Sequence, residues 1–433
     1  MEDYKNLTQK QLSFFRSGKT KNVPFRINML NKLKEIILSN EKEILKGLKS
    51  DLNKPEAEAF RTEIKLLLGE IDFTLDHLVV WASPREVETP SNPAGSTSYI
   101  YPEPLGLALV IAPWNYPFQL ALAPLIGAIA AGNCAVLKPS ELTPQTSRML
   151  ATIINTNFPE EYLCVVEGEV ETSTALLKEK FDHIFFTGST MIGKIVAAAA
   201  AKNLTPVTLE LGGKSPCIVH EDADLEKAAI RITNGKFLNA GQTCVAPDYL
   251  LVQRSVKEQL LNKLKEALHK AYGEEISQHL NFSWIINEKH FDRLKQYLDD
   301  GNLVFGGKTD PSRLFIEPTI LDNISWEDSV MQDEIFGPIL PVLEYDDVSE
   351  IINIIVERPK PLALYLFSES EVFQHNILNS ISFWGGSIND TLSHMTSHYL
   401  PFGGVGESGM GAYHGKGSFE TFSHFKSIFK QSK

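Results

Sequence analysis

The chain has 433 residues, more than a single hydrophobic core usually serves, so two or three domains are expected. Hydrophobic residues make up 43% and charged residues 22%, which excludes extensive disorder. With 41 Lys and Arg against 54 Asp and Glu, a net charge of −13 and no basic run, the chain is not built to bind a phosphate backbone.

Residues 24–80 read as helices. Ile27, Leu30, Leu33, Ile37, Ile44 and Leu48 recur at helical spacing, and a second helix runs through Phe60, Ile64, Leu67, Leu68 and Ile71. Residues 84–103 break the pattern with Pro, Ser, Thr and Gly and read as a linker with an extended excursion. From Pro104 to Leu137 there is no charged residue. Three prolines and the polar Asn115 and Gln119 interrupt this run, so no apolar part reaches the roughly 20 residues a membrane span needs. A buried strand over 105–112 and a buried helix over 118–132 account for it. Strands over 135–138, 163–166 and 184–186 follow, with helices near 144–157, 171–179 and 189–202. Strands joined by helical crossovers predict a parallel sheet, which takes ligands at the carboxyl ends of its strands. From Thr205 a second series of strands (205–211, 215–219, 249–253, 302–305, 314–320, 339–344 and 362–367) and helices begins and reads as a second α/β domain.

The four cysteines, Cys134, Cys164, Cys217 and Cys244, show no CxxC spacing, and the first residues lack a signal-peptide pattern. A disulfide framework is not expected and a reducing, cytoplasmic compartment is. The eleven histidines form no ligand motif, so no catalytic metal is expected.

Several residues suit chemistry. Cys244, in Gly241-Gln-Thr-Cys244, lies on a loop after a helix, where nearby donors make a thiol a nucleophile; a buried structural cysteine is the bland alternative. Glu210 ends an apolar strand before Gly212-Gly213, and Glu334 precedes an apolar turn. Burial would raise either carboxyl toward the range of a general base, whereas a solvated surface acid would do nothing. Asn115, between Pro113 and Pro117, can donate to an oxyanion or merely cap the next helix. Lys138 and Glu141 close a strand where ribose hydroxyls bind, and Gly188, Ser189 and Gly193 open a helix whose N–H groups suit a phosphate. The stretch Gly404-Val-Gly-Glu-Ser-Gly409 matches a dinucleotide fingerprint literally but does not sit between a first strand and its helix, so it reads as close backbone turns.

In chain order, Pro113-Trp-Asn-Tyr-Pro117, Lys138-Pro-Ser-Glu141, Phe186-Thr-Gly-Ser189, Leu209-Glu-Leu-Gly-Gly-Lys214, Gly241-Gln-Thr-Cys244, Glu334-Ile-Phe-Gly-Pro338 and Pro401-Phe-Gly-Gly404 resemble the aldehyde dehydrogenase superfamily over nearly the whole chain. Gly409-Met-Gly-Ala-Tyr-His-Gly415 and Ser418-Phe-Glu-Thr-Phe-Ser-His424 resemble its class 3 branch. The resemblance implies an α/β fold with a Rossmann-like cofactor domain over 1–83 and 104–209. A catalytic domain would cover 210–400, and a small β oligomerisation element 84–103 and 416–433. It implies NAD-dependent oxidation, with NADP tolerated, of medium- or long-chain aliphatic or aromatic aldehydes to acids, through a thiohemiacetal and a thioester on Cys244. The oxyanion would be held by Asn115 and the Cys244 N–H, and water activated by Glu210, with Glu334 sharing the base role. The cofactor would lie along Trp114, Lys138, Ser140, Glu141, Gly188, Ser189, Gly193, Leu211, Glu334 and Phe336.

A homodimer is implied, with apolar Phe422, Phe425 and Phe429 on an edge strand awaiting a partner. No membrane anchor is expected after His424. Two departures from the branch stand out. Phe282-Ser-Trp-Ile285 replaces a smaller, cationic phrase, and Trp384 is bulkier than expected. Two other readings use the same residues: a hydrolase working through Cys244 and Glu210 without a cofactor, and a scaffold that lost the chemistry.

Overall fold

The charge-free run folds as its composition predicts. In the computed structural model, which describes residues 4–90, 95–273 and 282–431, it gives the strand Leu107–Ile111 and the helix Gln119–Ala131, nearly every residue of both buried. Each fully buried Leu or Ile contributes about 1.5–3 kcal/mol, so the run belongs at the centre of the core. The parts of the oligomerisation element at 91–94 and 432–433 lie outside the described residues.

The strand Leu107–Ile111 is the middle of a six-stranded sheet. On one side lie Cys134–Lys138 and then Leu163–Val165; on the other lie His183–Thr187, Val207–Glu210 and Gly409–Met410. All pairings are parallel except the last. The chain runs outward from Leu107–Ile111 in one direction and then returns to build in the other. The crevice between the carboxyl ends of Leu107–Ile111 and His183–Thr187 is therefore the switch point at which such sheets bind ligands.

The strand Val207–Glu210 corrects the reading that a second series begins at Thr205: it pairs with His183–Thr187, and the first sheet ends only with Gly409–Met410. A second sheet, of seven strands, holds Asn302–Phe305, Thr319–Asp322, Ile339–Tyr345, Tyr249–Gln253, Pro216–Val219, Ala363–Phe367 and Gly385–Ile388 in that order. Glu210, Leu211 and the glycines after them are thus the link from one sheet to the other.

The third sheet is antiparallel: Arg85–Val87, Thr97–Pro104 and Ser423–Lys430. Eight residues of the last strand pair with Thr97–Pro104, and its other edge carries the exposed Phe425 and Phe429 (45% and 52%). Phe422 does not belong to that edge. It is fully buried, with its ring 6.1 Å from Phe185 and 5.0 Å from His183, because it precedes the strand and closes the core. No helix among the described residues is long and apolar enough to cross a membrane.

Candidate active site

The helix Leu225–Phe237 ends in a turn that carries Cys244. Asn239, Ala240 and Gly241 are all left-handed (φ 52°, 53° and 72°). Two consecutive non-glycine residues in that region cost of order 1–2 kcal/mol each, and the turn is held by bonds that repay it. Asn239 Nδ2 donates to the carbonyls of Asn115 (2.8 Å) and Gln242 (3.2 Å), and its own N–H donates to Glu58 (3.0 Å). Gln242 Nε2 donates to the carbonyls of Asn239 (3.1 Å) and Trp284 (3.0 Å). A methyl group on Gly241 would overlap the Gly337 carbonyl, so the turn packs directly against the segment that follows Glu334.

The Cys244 sulfur faces the N–H groups of Cys244 and Val245, which favour the thiolate. Burial dominates, however, and the neighbouring Glu334 and Glu210 add to it, so the resting thiol is pushed well above its ordinary range. Among charged groups these two carboxyls act most strongly on the sulfur. Glu210 is 2% exposed and neither carboxyl oxygen has a hydrogen-bond partner. It is no surface residue, and burial raises its pKa strongly, so it rests neutral. Glu334 is raised to about 8, first by burial and then by Asp248, while the Gly213 N–H, Lys214 and Arg293 pull it down. A Cβ on Gly212 would overlap the Glu334 carboxyl, which explains the glycine after Leu211.

Asn115 follows the strand Leu107–Ile111 and is buried. One N–H of its amide donates to the Gln242 carbonyl at 3.1 Å, which leaves the second for a ligand. Trp114 and Phe336 meet edge to face at 5.3 Å, so two of the expected cofactor contacts adjoin. Phe336 itself is left-handed (φ 49°).

The remaining expected residues gather at the sheet crevice. Lys138, 2% exposed, donates to Glu141 at 2.5 Å. Beside this pair a cleft of about 160 Å³ is bounded by Pro139, Glu141, Pro144, Ser147, Glu167 and Gly168. Ser140 turns inward and its hydroxyl accepts from the Leu142 N–H at 3.3 Å, a local turn bond. The Ser189 hydroxyl caps the helix Thr190–Ala201 by accepting from the Ile192 N–H at 3.5 Å. The Gly188 N–H donates to the Glu210 carbonyl at 3.0 Å. Gly193 has no room for a side chain, since an added Cβ would lie 2.7 Å from Leu211, and this brings that helix close to the sheet.

The decoy glycines behave as turns. Gly409 (φ 149°) lies on the Leu209 carbonyl, and the Glu407 carbonyl accepts from the Thr190 hydroxyl at 3.0 Å. Among the described residues no group of three or more His, Cys, Asp or Glu side chains could hold a metal ion.

The sequence pattern did not reveal the residues behind this site. Lys236, fully buried with no partner for its amine, is lowered to about 8 by burial and senses Asp248 and Glu334. Tyr413 is buried where it senses Glu210 and Cys244. Lys54, Glu63 and Asn239 were also missed. A lysine four residues after Ile232 on an apolar helix face was the one available signal. The substituted loop at Ser283 and Trp284 proves to touch the site, since the Trp284 carbonyl supports Gln242 and the buried Ser283 hydroxyl is unpartnered.

Comparison with known proteins places this geometry. The sequence model of the aldehyde dehydrogenase family matches residues 2–428. The chain is 50% identical to the 4,4'-diaponeurosporen-aldehyde dehydrogenase of Staphylococcus aureus, over 97% of this chain and 92% of that one. It is 48% identical to the dimeric NADP-preferring aldehyde dehydrogenase of Rattus norvegicus, over 96% and 92%. The substrate-bound structure of Staphylococcus aureus AldH superposes with a TM-score of 0.98 at 49% identity, over 100% and 95% of the two chains. An indole-3-acetaldehyde dehydrogenase of P. syringae in complex with NAD+ superposes with 0.89 at 28% identity, over 98% and 88%.

Proposed function

This chain belongs to the aldehyde dehydrogenase family and is an NAD(P)-dependent oxidoreductase acting on aldehydes; from that premise we propose how its residues divide the work. Cys244 is the nucleophile. Its sulfur adds to the aldehyde carbon as the thiol proton passes to the ionised fraction of Glu334, which returns it to solvent, with the free N–H of the Asn115 amide and the Cys244 N–H stabilising the oxygen as it gains charge. A nicotinamide bound beside Trp114 and Phe336 would supply the hydride acceptor, and loss of hydride from this adduct leaves a thioester on Cys244. A carboxylate then takes a proton from water, which attacks the thioester carbon and frees the acid and the thiol.

The observation that carries this reading is that Cys244 lies within the electrostatic reach of two acids, Glu334 and Glu210, the second buried with both oxygens unpartnered. Glu210 and Glu334 share the base role. Glu334, with its pKa of about 8, is the member that ionises in the working range.

The cofactor fits the residues at the switch point. Lys138 and Glu141 would hold the adenine ribose, with Ser140 fixing their turn. The N–H groups that follow Gly188 and Ser189 would face the pyrophosphate, with Gly193 and Leu211 setting the approach. Trp114, Glu334 and Phe336 would flank the nicotinamide end. The Glu141 carboxylate favours a 2′-hydroxyl, and Lys138 beside it tolerates a 2′-phosphate.

The division into a cofactor domain (1–83, 104–209), a catalytic domain (210–400) and a bridging element (84–103, 416–433) is part of the same proposal. The substrates are medium- or long-chain aliphatic or aromatic aldehydes, in keeping with the names of the similar enzymes. The working form is a homodimer formed on the open edge of Ser423–Lys430, supported by the exposed Phe425 and Phe429 and by the dimeric relative. A cytoplasmic location is supported by four free thiols, one of them the nucleophile.

The test is absorbance of reduced nicotinamide with a panel of aldehydes, NAD or NADP, and the Cys244→Ser variant. Turnover that disappears in the variant is expected. Ester cleavage by the same cysteine without any aldehyde oxidation would favour a hydrolase instead.

A further inference from the structure

One wall of the active site holds a charge pair that the reaction as described does not use. Lys54 and Glu63 form an ion pair, and the side chains of both are wholly enclosed. A buried pair recovers its desolvation cost only when further hydrogen bonds satisfy both groups. Here those bonds go to one short stretch of chain. Lys54 Nζ donates to the Asn115 carbonyl at 3.1 Å and stands 4.1 Å from the centre of the Tyr116 ring. Glu63 Oε2 accepts from the N–H groups of Phe118 and Gln119, each at 3.0 Å. The pair therefore grips residues 115–119 by both ends, between the strand Leu107–Ile111 and the helix Gln119–Ala131.

The same stretch is tied to the nucleophile's turn. The Asn115 carbonyl, already bonded to Lys54, also accepts from Asn239 Nδ2 at 2.8 Å. The Asn115 amide donates to the Gln242 carbonyl at 3.1 Å, and the Tyr116 hydroxyl bonds the Thr243 hydroxyl at 2.7 Å. An unbroken chain of bonds thus runs from Lys54 to Thr243, the residue before Cys244. An oxyanion donor is effective only over a few tenths of an ångström, and a carbonyl held by an ammonium and an amide has little freedom to drift.

We infer that Lys54 and Glu63 are positioning residues for the first chemical step, holding the Asn115 amide at its working height above Cys244. The inference rests on the reading of Asn115 as the oxyanion donor. A pair that merely stabilised the fold would behave differently, because its loss would act on the rate whether or not Asn115 was present.

The experiment is a kinetic double-mutant cycle on the full chain, read as the burst of reduced nicotinamide in stopped flow with hexanal and NAD. Asn115→Ala should slow the burst about 10²- to 10³-fold. Lys54→Met should slow it at least about tenfold with KM for hexanal moved less than about twofold, because it acts through a transition-state contact. In the Asn115→Ala background Lys54→Met should change the burst by less than about twofold, since nothing is left to position. Lys54→Met strands the Glu63 carboxylate, so the cycle is repeated with Lys54→Met/Glu63→Gln, which removes both charges and keeps the volume filled. Effects that multiply across the cycle, or a burst untouched by either Lys54 variant, would overturn the inference. A burst unaffected by Asn115→Ala would instead remove the oxyanion reading itself, a failure visible in a separate arm.

Discussion

Replacing Glu334 by glutamine is the sharpest test of how acid release is driven. Glutamine keeps the size of the side chain and an oxygen for the Gly213 N–H, but it cannot ionise. With a pKa of about 8, Glu334 is about one-tenth ionised at pH 7 and about nine-tenths at pH 9. If it takes the proton from water, acid release should rise about tenfold over that interval in the native protein. In Glu334→Gln the rate should fall about 10²- to 10⁴-fold, the usual worth of a general base, and the inflection near pH 8 should vanish. Turnover after the hydride burst, followed from pH 6 to 10, reports this step; the burst itself reports the Cys244 step and separates the two. An inflection that survives in Glu334→Gln and disappears in Glu210→Gln would refute the assignment and give the role to Glu210. The same variant carries a stability signature. A carboxyl whose pKa is raised on folding binds its proton more tightly in the native state, so stability falls as pH rises from about 4.5 to about 8 and is level above that. The part of that slope owed to Glu334 is on the order of 5 kcal/mol before solvent screening at the open cleft reduces it, and it should be absent in Glu334→Gln.

Cys244→Ser should lower aldehyde turnover by about 10³-fold or more without moving the melting temperature beyond a few degrees, because the hydroxyl is a far weaker nucleophile of similar size. Gly212→Ala places a methyl on the Glu334 carboxyl and should reduce acid release about tenfold or more, measured as turnover after the burst. Glu141→Ala should shift the kcat/KM ratio toward NADP by about 10- to 100-fold, because Lys138 is then free for a 2′-phosphate. Phe185→Ala empties a site between Tyr413 and Phe422 and should cost about 3–5 kcal/mol in urea unfolding.

Where sequence reasoning worked, the signal was local. The charge-free run could only be a buried strand and helix, and the candidate residues stand where strands end: Asn115 after Leu107–Ile111, Lys138 closing Cys134–Lys138, Glu210 closing Val207–Glu210. Where it fell short, the deciding partner was remote. Val207–Glu210 looks like the start of the second series because Pro216–Val219 follows it closely, yet it pairs with His183–Thr187. Gly409–Met410 and Gly385–Ile388 are strands made partly of glycine, whose weak strand preference is overridden by pairing. Lys54 and Glu63 stand among charged surface-like residues in the sequence, and only the fold brings them to the Asn115 carbonyl and the next helix. Phe422 is close in sequence to Phe425 and Phe429, but the strand begins one residue later, at Ser423.

Two acids beside a thiol look like an obstacle, since each carboxylate opposes the thiolate. The proton balance of the reaction resolves this. Aldehyde, water and oxidised nicotinamide give acid, reduced nicotinamide and one proton. On the proposed assignment the thiol loses a proton when sulfur attacks, water loses one when it attacks the thioester, and the departing sulfur takes one back. A permanent carboxylate would hinder the first event and a permanent acid the second. Acids buried far enough to rest mostly neutral, yet able to ionise, serve both. Glu210 is untethered, with both oxygens bare. Glu334 is anchored by the Gly213 N–H and eased toward ionisation by Lys214 and Arg293. Burial alone acts on Glu210, whereas Glu334 also has groups that favour its charged form, so one site can hold a neutral neighbour for the thiol and still present a base to water.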